Sequence, residues 1–577
     1  MANYLAVDFG TSNCAAGYLE QRDGSLKLKL VPLDATSEYC PSVIFAQNPN
    51  LNSLEINSDQ YERRVELALK HDEEKIQQSR CELEGKVAAF IKKHGPKLKS
   101  PERGDYLSDR QFQSALEAYK RDLLQLEVAK IDFMVTRVAK YRASLEESLR
   151  SKHSEDFIRN MVRKKMFREA FEKRRDEFWD SSFFGALLDD KKLNWFGSEA
   201  VKKYSEDPLS GFFMRSPKAF LAIELAGQQR EIFVRAVSKI ISKIKKAAED
   251  FTGQVFDGII LGRPVNFRGA NDEAGNARAS SILVDASSRA GFMEINFVLE
   301  PLAASLAIAK RALNTYDPIV VIDIGGGTTD LAYIEVGNAQ GADFQVKAVT
   351  GERLGGNDFD EAIAWGLVAP FLGKGCRLKD GKPVPYSVID SALKTRDIHA
   401  QSAFRKSGPL IEEFLGNADP DSIIPLERLE QLFSQQLQHK VLLKSEELKI
   451  RSTSLESSHV TFDDYDSPFE VSLDQSSLER LVDGQLSRLK ELLLELLKVA
   501  NNDGRPVRAF LTGGMSSSPA ILALLRRELP TRSTIDQMPP LKSVVGGLAI
   551  VSYQLNRAAT ASVFLPDVVR GVPIIRG

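Results

Sequence analysis

The sequence predicts an α/β protein of two related lobes, with a long α-helical insertion in the first. Three observations carry this expectation. The stretch Ile319–Ile334, IVVIDIGGGTTDLAYI, sets apolar, β-branched runs on either side of three glycines, the pattern of two buried strands joined by a tight hairpin. Tyr4–Gly17, YLAVDFGTSNCAAG, repeats the plan with an apolar run, an aspartate, a glycine beside Thr, Ser and Asn, and a second run of small and apolar residues. Between 51 and 194 the composition turns to Glu, Lys, Arg, Ala and Leu, as in long helices.

Composition bounds the rest. At 577 residues the chain exceeds a single hydrophobic core, so several domains or lobes are expected. Its 43% hydrophobic and 27% charged content is ordinary for a soluble globular protein. A net charge of −2 gives no global argument for nucleic acid or membrane, and no specific nucleic-acid partner is expected. Cys14, Cys40, Cys81 and Cys376 form no CxxC pair, which indicates neither a disulfide framework nor a zinc site. With no apolar run of membrane-spanning length and no signal-peptide pattern, a cytoplasmic protein is the default.

The hairpins suggest a chemistry. Around Gly10 and around Gly325, Gly326 and Gly327, main-chain N–H groups can approach an anion with no side chain in the way. The flanking carboxylates Asp8, Asp323 and Asp330 cannot bind phosphate themselves; they make sense with a hydrated divalent cation in between. Thr11 and Ser12 add hydroxyls that can bond phosphate oxygens. Either hairpin alone also suits a plain polar turn. Two copies point to two lobes that each present a phosphate hairpin to one cleft. Pro41–Ala46 reads as a further strand.

In the insertion, Ser58–His94 and Leu107–Trp179 read as helices, broken by Gly95-Pro96 and Pro101. Phe112, Leu116, Tyr119, Leu123 and Leu126 alternate spacings of four and three, and Ile131, Met134, Val138, Tyr141 and Leu145 resume in a shifted register. That is a coiled-coil seam with a register break. Uninterrupted, the second segment would be a rod roughly 100 Å long; folding back on itself is the alternative. The basic run Arg163–Arg175 suits an acidic partner, lipid or RNA, and equally a solvated helix face.

The globular pattern returns at Trp195. Phe196–Tyr204 reads as a short amphipathic helix, and Lys218 stands alone among apolar residues in FFMRSPKAFL, a candidate for reaching into a cleft. Gln229–Phe251 and Ala277–Ala290 read as helices around the strand Gly258–Asn266, and Glu300-Pro301 opens an Ala-rich helix. Gly355-Gly356 precede a helix whose N-terminus is expected to offer free amides to a phosphate or ribose. Glu446 and Lys449 lie three apart on one helical face. Arg508–Leu525 reads as strand, Gly513-Gly514, hydroxyl-rich turn and helix, and Ser543–Tyr553 as a small-residue helix. The Pro- and Val-containing tail after it is expected to leave no room for another domain.

In this order, phosphate hairpin, lysine, Glu-Pro helix, second hairpin, LGGxD, ExxK and strand-GG-turn resemble the nucleotide-binding domain of the DnaK-type, seventy-kilodalton heat-shock chaperones. The resemblance covers roughly 3–50 and 195–555, and RSPKAFL and GRPVNF are most similar to the shortened YegD-like members. It implies the two-lobed fold of the actin/hexokinase ATPase superfamily, with a ribonuclease H-like motif in each lobe. Residues 1–50 and 195–318 would form the first lobe, 51–194 the insertion, 319–555 the second lobe and 556–577 a tail.

The resemblance also implies Mg-ATP as ligand and a role for each matching position. Asp8 and Asp323 fall on the aspartates that hold water around magnesium. Gly10, Thr11, Ser12 and Asn13 fall on the first phosphate loop, and Gly325, Gly326, Gly327 and Thr328 on the second. Lys218 is similar to the lysine that positions the attacking water, Glu300 to the glutamate near it, and Asp330 to the aspartate of the catalytic hairpin. Pro264 is similar to the proline linked to interdomain signalling. Gly355, Gly356, Glu446, Lys449, Gly513, Gly514 and Met515 fall on contacts to phosphate, ribose and base. Such a site suits phosphoryl transfer to water, which mainly needs charge neutralisation and an oriented nucleophile.

Two departures qualify the resemblance. The arginines that commonly sandwich adenine are Ile450 and Ser517 here, a loss of stacking of about 1 kcal/mol or more each, so weaker or less base-selective binding is expected. The usual peptide-binding β-sandwich and lid are expected to be lacking, which leaves the insertion as a candidate surface for a protein partner or client. The function implied is a slowly hydrolysing, chaperone-like ATPase whose nucleotide state controls a partner. A non-enzymatic nucleotide-gated scaffold acting through the insertion is the alternative. A small-molecule kinase is disfavoured by Lys218 and by the lack of a separate acceptor-base motif.

Overall fold

The six residues of β1 (Tyr4–Phe9), YLAVDF, and the six of β10 (Ile319–Ile324), IVVIDI, are buried throughout, as expected of strands covered on both faces. A computed structural model describes residues 3–22, 25–34, 37–48, 58–97, 108–143, 192–268, 273–309, 318–336, 344–539, 542–558 and 574–576, with isolated positions between 102 and 190. The fold is mixed α/β, with several sheets and many helices.

The two large sheets are each built around one of these strands. In the first, β1 pairs antiparallel with β2 (Asn13–Arg22), which pairs antiparallel with β3 (Ser25–Leu30) and, at its start, with β4 (Tyr39–Pro41). On its other side β1 runs parallel to β8 (Gly258–Arg263), and β8 to β9 (Glu294–Leu299). In the second sheet β10 pairs antiparallel with β11 (Thr329–Val336), and β11 with β12 (Phe344–Glu352). Here too the other side is parallel, to β15 (Arg508–Thr512) and then β16 (Thr534–Gln537). Both sheets thus follow one plan, a three-stranded antiparallel meander extended by two parallel strands.

A shared core joins the sheets. Tyr4, Ala6, Ile260 and Val298 from the first and Ile319, Val321, Ala332 and Phe510 from the second pack with residues of the helices Glu300–Ala309 and Lys542–Ala558. The two helices cross backbone to backbone: a Cβ on Gly547 would overlap the Ala303 carbonyl. This crossing sets the strand ends that carry the two hairpins side by side.

The local expectations need correction in four places. Pro41–Ala46 is not one strand. Pro41 ends β4, and β5 (Val43–Gln47) belongs to another sheet with β6 (Asn194–Phe196) and β7 (Gly211–Arg215). The chain changes sheets at fully buried Ser42, whose N–H donates to the Ser12 carbonyl and whose hydroxyl donates to that of Gly10. Phe196 lies in β6 and the helix runs Ser198–Glu206. A small hairpin, β13 (Ser457–Phe462) with β14 (Phe469–Asp474), alternates buried and exposed residues and is absent from the elements expected from sequence. Finally, β17 (Ile574–Arg576) adds an antiparallel edge strand to β9; most of the tail before it lies outside the described residues.

Ser53–Arg175 is a separate compact unit. Its helix Ser58–His94 and the helix Asp109–Asp132, continued by a π-helical turn at Phe133–Val138, pack through Leu83, Val87, Phe133 and Val138. Phe90 stacks on Phe133 and Tyr141 with ring centroids 5.9 and 4.3 Å away. The chain therefore folds back instead of forming a rod. The π turn takes up one extra residue and lies after the register break expected between Leu126 and Ile131, not at it. It also shifts the seam: Phe133 and Val138 face the core, whereas Ile131 and Met134 are 65% and 46% exposed. The side chains of Leu123 and Leu145 and most of Arg163–Arg175 lie outside the described residues.

Candidate functional site

Each hairpin hangs a glycine-containing turn on a buried strand that carries an aspartate. In β10–β11 the register sets Asp323 directly opposite Asp330, and the Gly325 N–H closes the turn on the Thr328 carbonyl at 2.9 Å. The two turns touch. A Cβ on Gly326 would overlap the Ser12 hydroxyl, and one on Gly327 would stand 2.8 Å from Thr11 Oγ1. Glycine is required here by close approach, not by backbone conformation.

Lys218 sits in a one-turn 3₁₀ helix, Pro217–Phe220, that follows β7. Its Nζ donates to Glu300 Oε1 at 2.7 Å, and both residues are buried. Glu300 is in place because it opens its helix at the end of β9. Around this pair lie three more buried carboxyls, Asp8, Asp323 and Asp330. Burial, then the charge of Glu300, pushes Asp8 up to about 7 and Asp330 up to about 8. The same two causes, with Asp330 and Asp8 added, raise Asp323 well above the usual carboxylate range. Asp330 also accepts the Val265 N–H at 2.6 Å, which ties it to the segment after β8. For Lys218, burial works against the charged form, but Glu300, Asp8 and Asp330 outweigh it and raise its pKa.

Four carboxyls thus gather around Lys218, with buried Arg263 also felt by Glu300 and Asp330, and the raised pKa values express a demand for positive charge that these two cations leave unmet. A divalent cation fits that demand. Among the described residues no three His, Cys, Asp or Glu side chains converge as direct ligands. Asp8 and Asp323 would therefore act on Mg²⁺ through its water shell, much of which that ion commonly keeps.

The expectation of free amides at the helix Gly356–Ile363 needs correction. Gly356 N–H donates to the Gly325 carbonyl and Asn357 N–H to that of Gly326, both at 2.9 Å, while Gly355 N–H donates to Asp358 Oδ2 at 2.7 Å. These amides brace the second hairpin and are not open to a ligand as they stand. The reason is the close packing of Gly355 on Gly326 and Gly327.

Beyond that helix, Lys449 Nζ donates to the Gly356 carbonyl at 2.9 Å and pairs with Asp360 Oδ1 at 2.8 Å. Burial raises Asp360 to about 6 against the pull of Lys449. Glu446 is not free either: Arg215 Nη2 reaches its Oε2 at 2.5 Å. The Met515 sulfur lies 3.2 Å from where a Gly356 Cβ would be, and Gly513, at φ 84°, packs against Asp323. Gly514 faces open space. Ile450 is 58% exposed, and Ser517 is exposed. The structure therefore gathers Lys218, Glu300 and the hairpin aspartates into one cluster, and Gly356, Lys449 and Met515 into another, joined through the second hairpin. Sequence reasoning missed Arg215, Asn357 and Asp360. Arg215 had a usable signal, standing three residues before Lys218 at a strand end; Asp360 had none beyond its LGGxDxxD spacing.

Residues 214–382 match the family model described as Hsp70 protein. The matched stretch contains Arg215, Lys218, Glu300, the second hairpin and Gly355-Gly356. Tertiary contacts bring Asp8, Thr11, Ser12, Lys449, Gly513 and Met515 to it from outside. The match supports the Hsp70 family and, in general terms, a nucleotide-binding, chaperone-like ATPase. Hsp70 proteins generally bind ATP with Mg²⁺ and engage client proteins. Among the described residues no helix is long and apolar enough to cross a membrane.

Proposed function

We propose that this protein is a Mg-ATP-binding, slowly hydrolysing ATPase of the chaperone type, whose nucleotide state controls a partner surface. On this reading the sheets are the cores of two lobes of an actin-like fold, and the protein is a YegD-like, cytoplasmic member of the family. The observation that carries it is the buried Lys218–Glu300 pair among Asp8, Asp323 and Asp330, beside two touching glycine hairpins.

In the mechanism, Thr11, Ser12 and the hairpin amides at Gly326, Gly327 and Thr328 hold phosphate oxygens, while the Gly325 N–H closes the turn. Asp8 and Asp323 would hold Mg²⁺, which would supply neutralisation of phosphate charge. Lys218, kept protonated by its carboxylate neighbours, orients the attacking water. Asp330, ionised once a cation occupies the site, would accept the proton of that water, with Glu300 and Thr328 polarising it. Placement and charge neutralisation suffice for this reaction. Single-turnover hydrolysis of bound ATP tests the reading. We expect wild-type protein to turn over measurably and Lys218→Ala to fall by about a hundredfold or more; equal rates in the two would end the enzymatic reading.

A second reading, a nucleotide-gated scaffold, draws on the base end. There Arg215 and Asp360 occupy Glu446 and Lys449, and no arginine stands at 450 or 517. The compact helical unit Ser53–Arg175, read as a coiled-coil-like arm, would then bind the partner. A pull-down with full-length protein and with that unit deleted separates the readings: the scaffold requires partner loss on deletion and normal capture by Lys218→Ala.

A further inference from the structure

The two hairpins are tied by a residue that neither motif includes. Asn357 opens the helix Gly356–Ile363 and is 5% exposed. Its N–H donates to the Gly326 carbonyl of the second hairpin at 2.9 Å. Its side-chain Oδ1 accepts the Ser12 hydroxyl of the first hairpin at 3.2 Å. The remaining group, Nδ2, is buried without any hydrogen-bond partner. A buried donor left unpaired is costly, and such groups are rare outside places where something else satisfies them. Here it stands where Ser12 meets Gly326, at the junction of two loops whose chemistry suits phosphate.

We infer that Asn357 is a further phosphate-binding residue of this site and the catch between its hairpins. The inference rests on the nucleotide reading above. A phosphate group that enters between the hairpins parts Ser12 from Gly326 and frees the Asn357 amide from the Ser12 hydroxyl. The Nδ2 group then donates to a phosphate oxygen, while the backbone bond to Gly326 keeps Asn357 on the second hairpin. Its length suits the role: a neutral amide offers donors to an anion, whereas a carboxylate at the same place would repel it.

The test uses the full chain. Mg-ATP and Mg-tripolyphosphate are titrated by calorimetry into wild type, Asn357→Asp and Asn357→Ala, and the thermal midpoint of each protein is measured without nucleotide. We expect Asn357→Asp to weaken both ligands by at least about tenfold and Asn357→Ala by about fivefold, with midpoints close to wild type, because the backbone bond survives both changes. A change below threefold for Asn357→Asp with either ligand overturns the inference. So does a weakening that appears only with a large fall in midpoint in both variants, which would make the residue structural. Wild-type protein that binds neither ligand would instead end the nucleotide reading itself.

Discussion

Lys218 and Glu300 form a buried ion pair, Nζ to Oε1 at 2.7 Å, that joins the turn after β7 to the start of the helix after β9. Removing one partner leaves the other charge uncompensated. Glu300→Ala should destabilise the fold by about 3 kcal/mol or more, although Asp8 and Asp330 remain as neighbours of Lys218. Lys218→Met/Glu300→Leu, which removes both charges at similar volume, should cost less than the sum of the single changes. Urea unfolding of Glu300→Ala, Lys218→Met, Glu300→Leu and the double variant checks this; additive losses would contradict the pairing.

The carboxyl cluster predicts a pH dependence with a definite sign. Asp8 and Asp330, raised to about 7 and 8, hold protons in the folded protein that the unfolded chain has released above about pH 4. The native state binds more protons in that window, so stability falls as pH rises toward and through 7 to 8. Lys218, raised above its ordinary value, titrates well above this range. In chelator the thermal midpoint should drop between pH 6 and 8.5, and Asp330→Asn should flatten the drop. Added Mg²⁺ with nucleotide should stabilise more at the higher pH, where the carboxylates are ionised to receive it. A midpoint in chelator that rises over this range would refute the account.

Two glycines should respond in opposite ways. Gly547→Ala drives a methyl into the Ala303 carbonyl at the helix crossing between the sheets, and should cost about 1–3 kcal/mol or more. Gly514→Ala meets nothing within 4 Å and should leave unfolding within about 0.5 kcal/mol of wild type. If the open space at Gly514 belongs to the ligand, its substitution should weaken Mg-ATP binding while Gly547→Ala, where folded, leaves affinity unchanged. Denaturation and calorimetry on both proteins decide it.

Arg215 and Glu446 join β7 to the helix Gln438–Arg451 through a largely buried contact at 2.5 Å. On the proposed nucleotide reading, opening the base end of the site would break it. Arg215→Ala should therefore speed release of a fluorescent ATP analogue by roughly fivefold or more. An unchanged release rate in stopped flow would show that opening occurs elsewhere.

The two β-branched runs and their glycine turns were legible because a strand buried on both faces needs a continuous apolar run, whatever its neighbours. Helices such as Gly227–Thr252 and Gln438–Arg451 were legible from their amphipathic spacing. The register break in the insertion was visible too, but not its result. The π turn falls later, at Phe133–Val138, and buries Phe133 and Val138 in place of Ile131 and Met134; which face is buried depends on the partner helix.

Sequence alone therefore determined the strands and turns of the two glycine hairpins and the identity of the charged groups, all of which follow from short-range periodicity and residue chemistry. Tertiary structure decided which groups meet. Ser42 turns one apparent strand into two because the chain passes between sheets there. The amides before Asp358 are spent on the second hairpin because Gly355 packs against it. The raised carboxyl pKa values exist only because β1, β10 and β11 bring Asp8, Asp323 and Asp330 under one desolvated roof with Glu300 and Lys218, and desolvation is a property of packing that no local pattern contains.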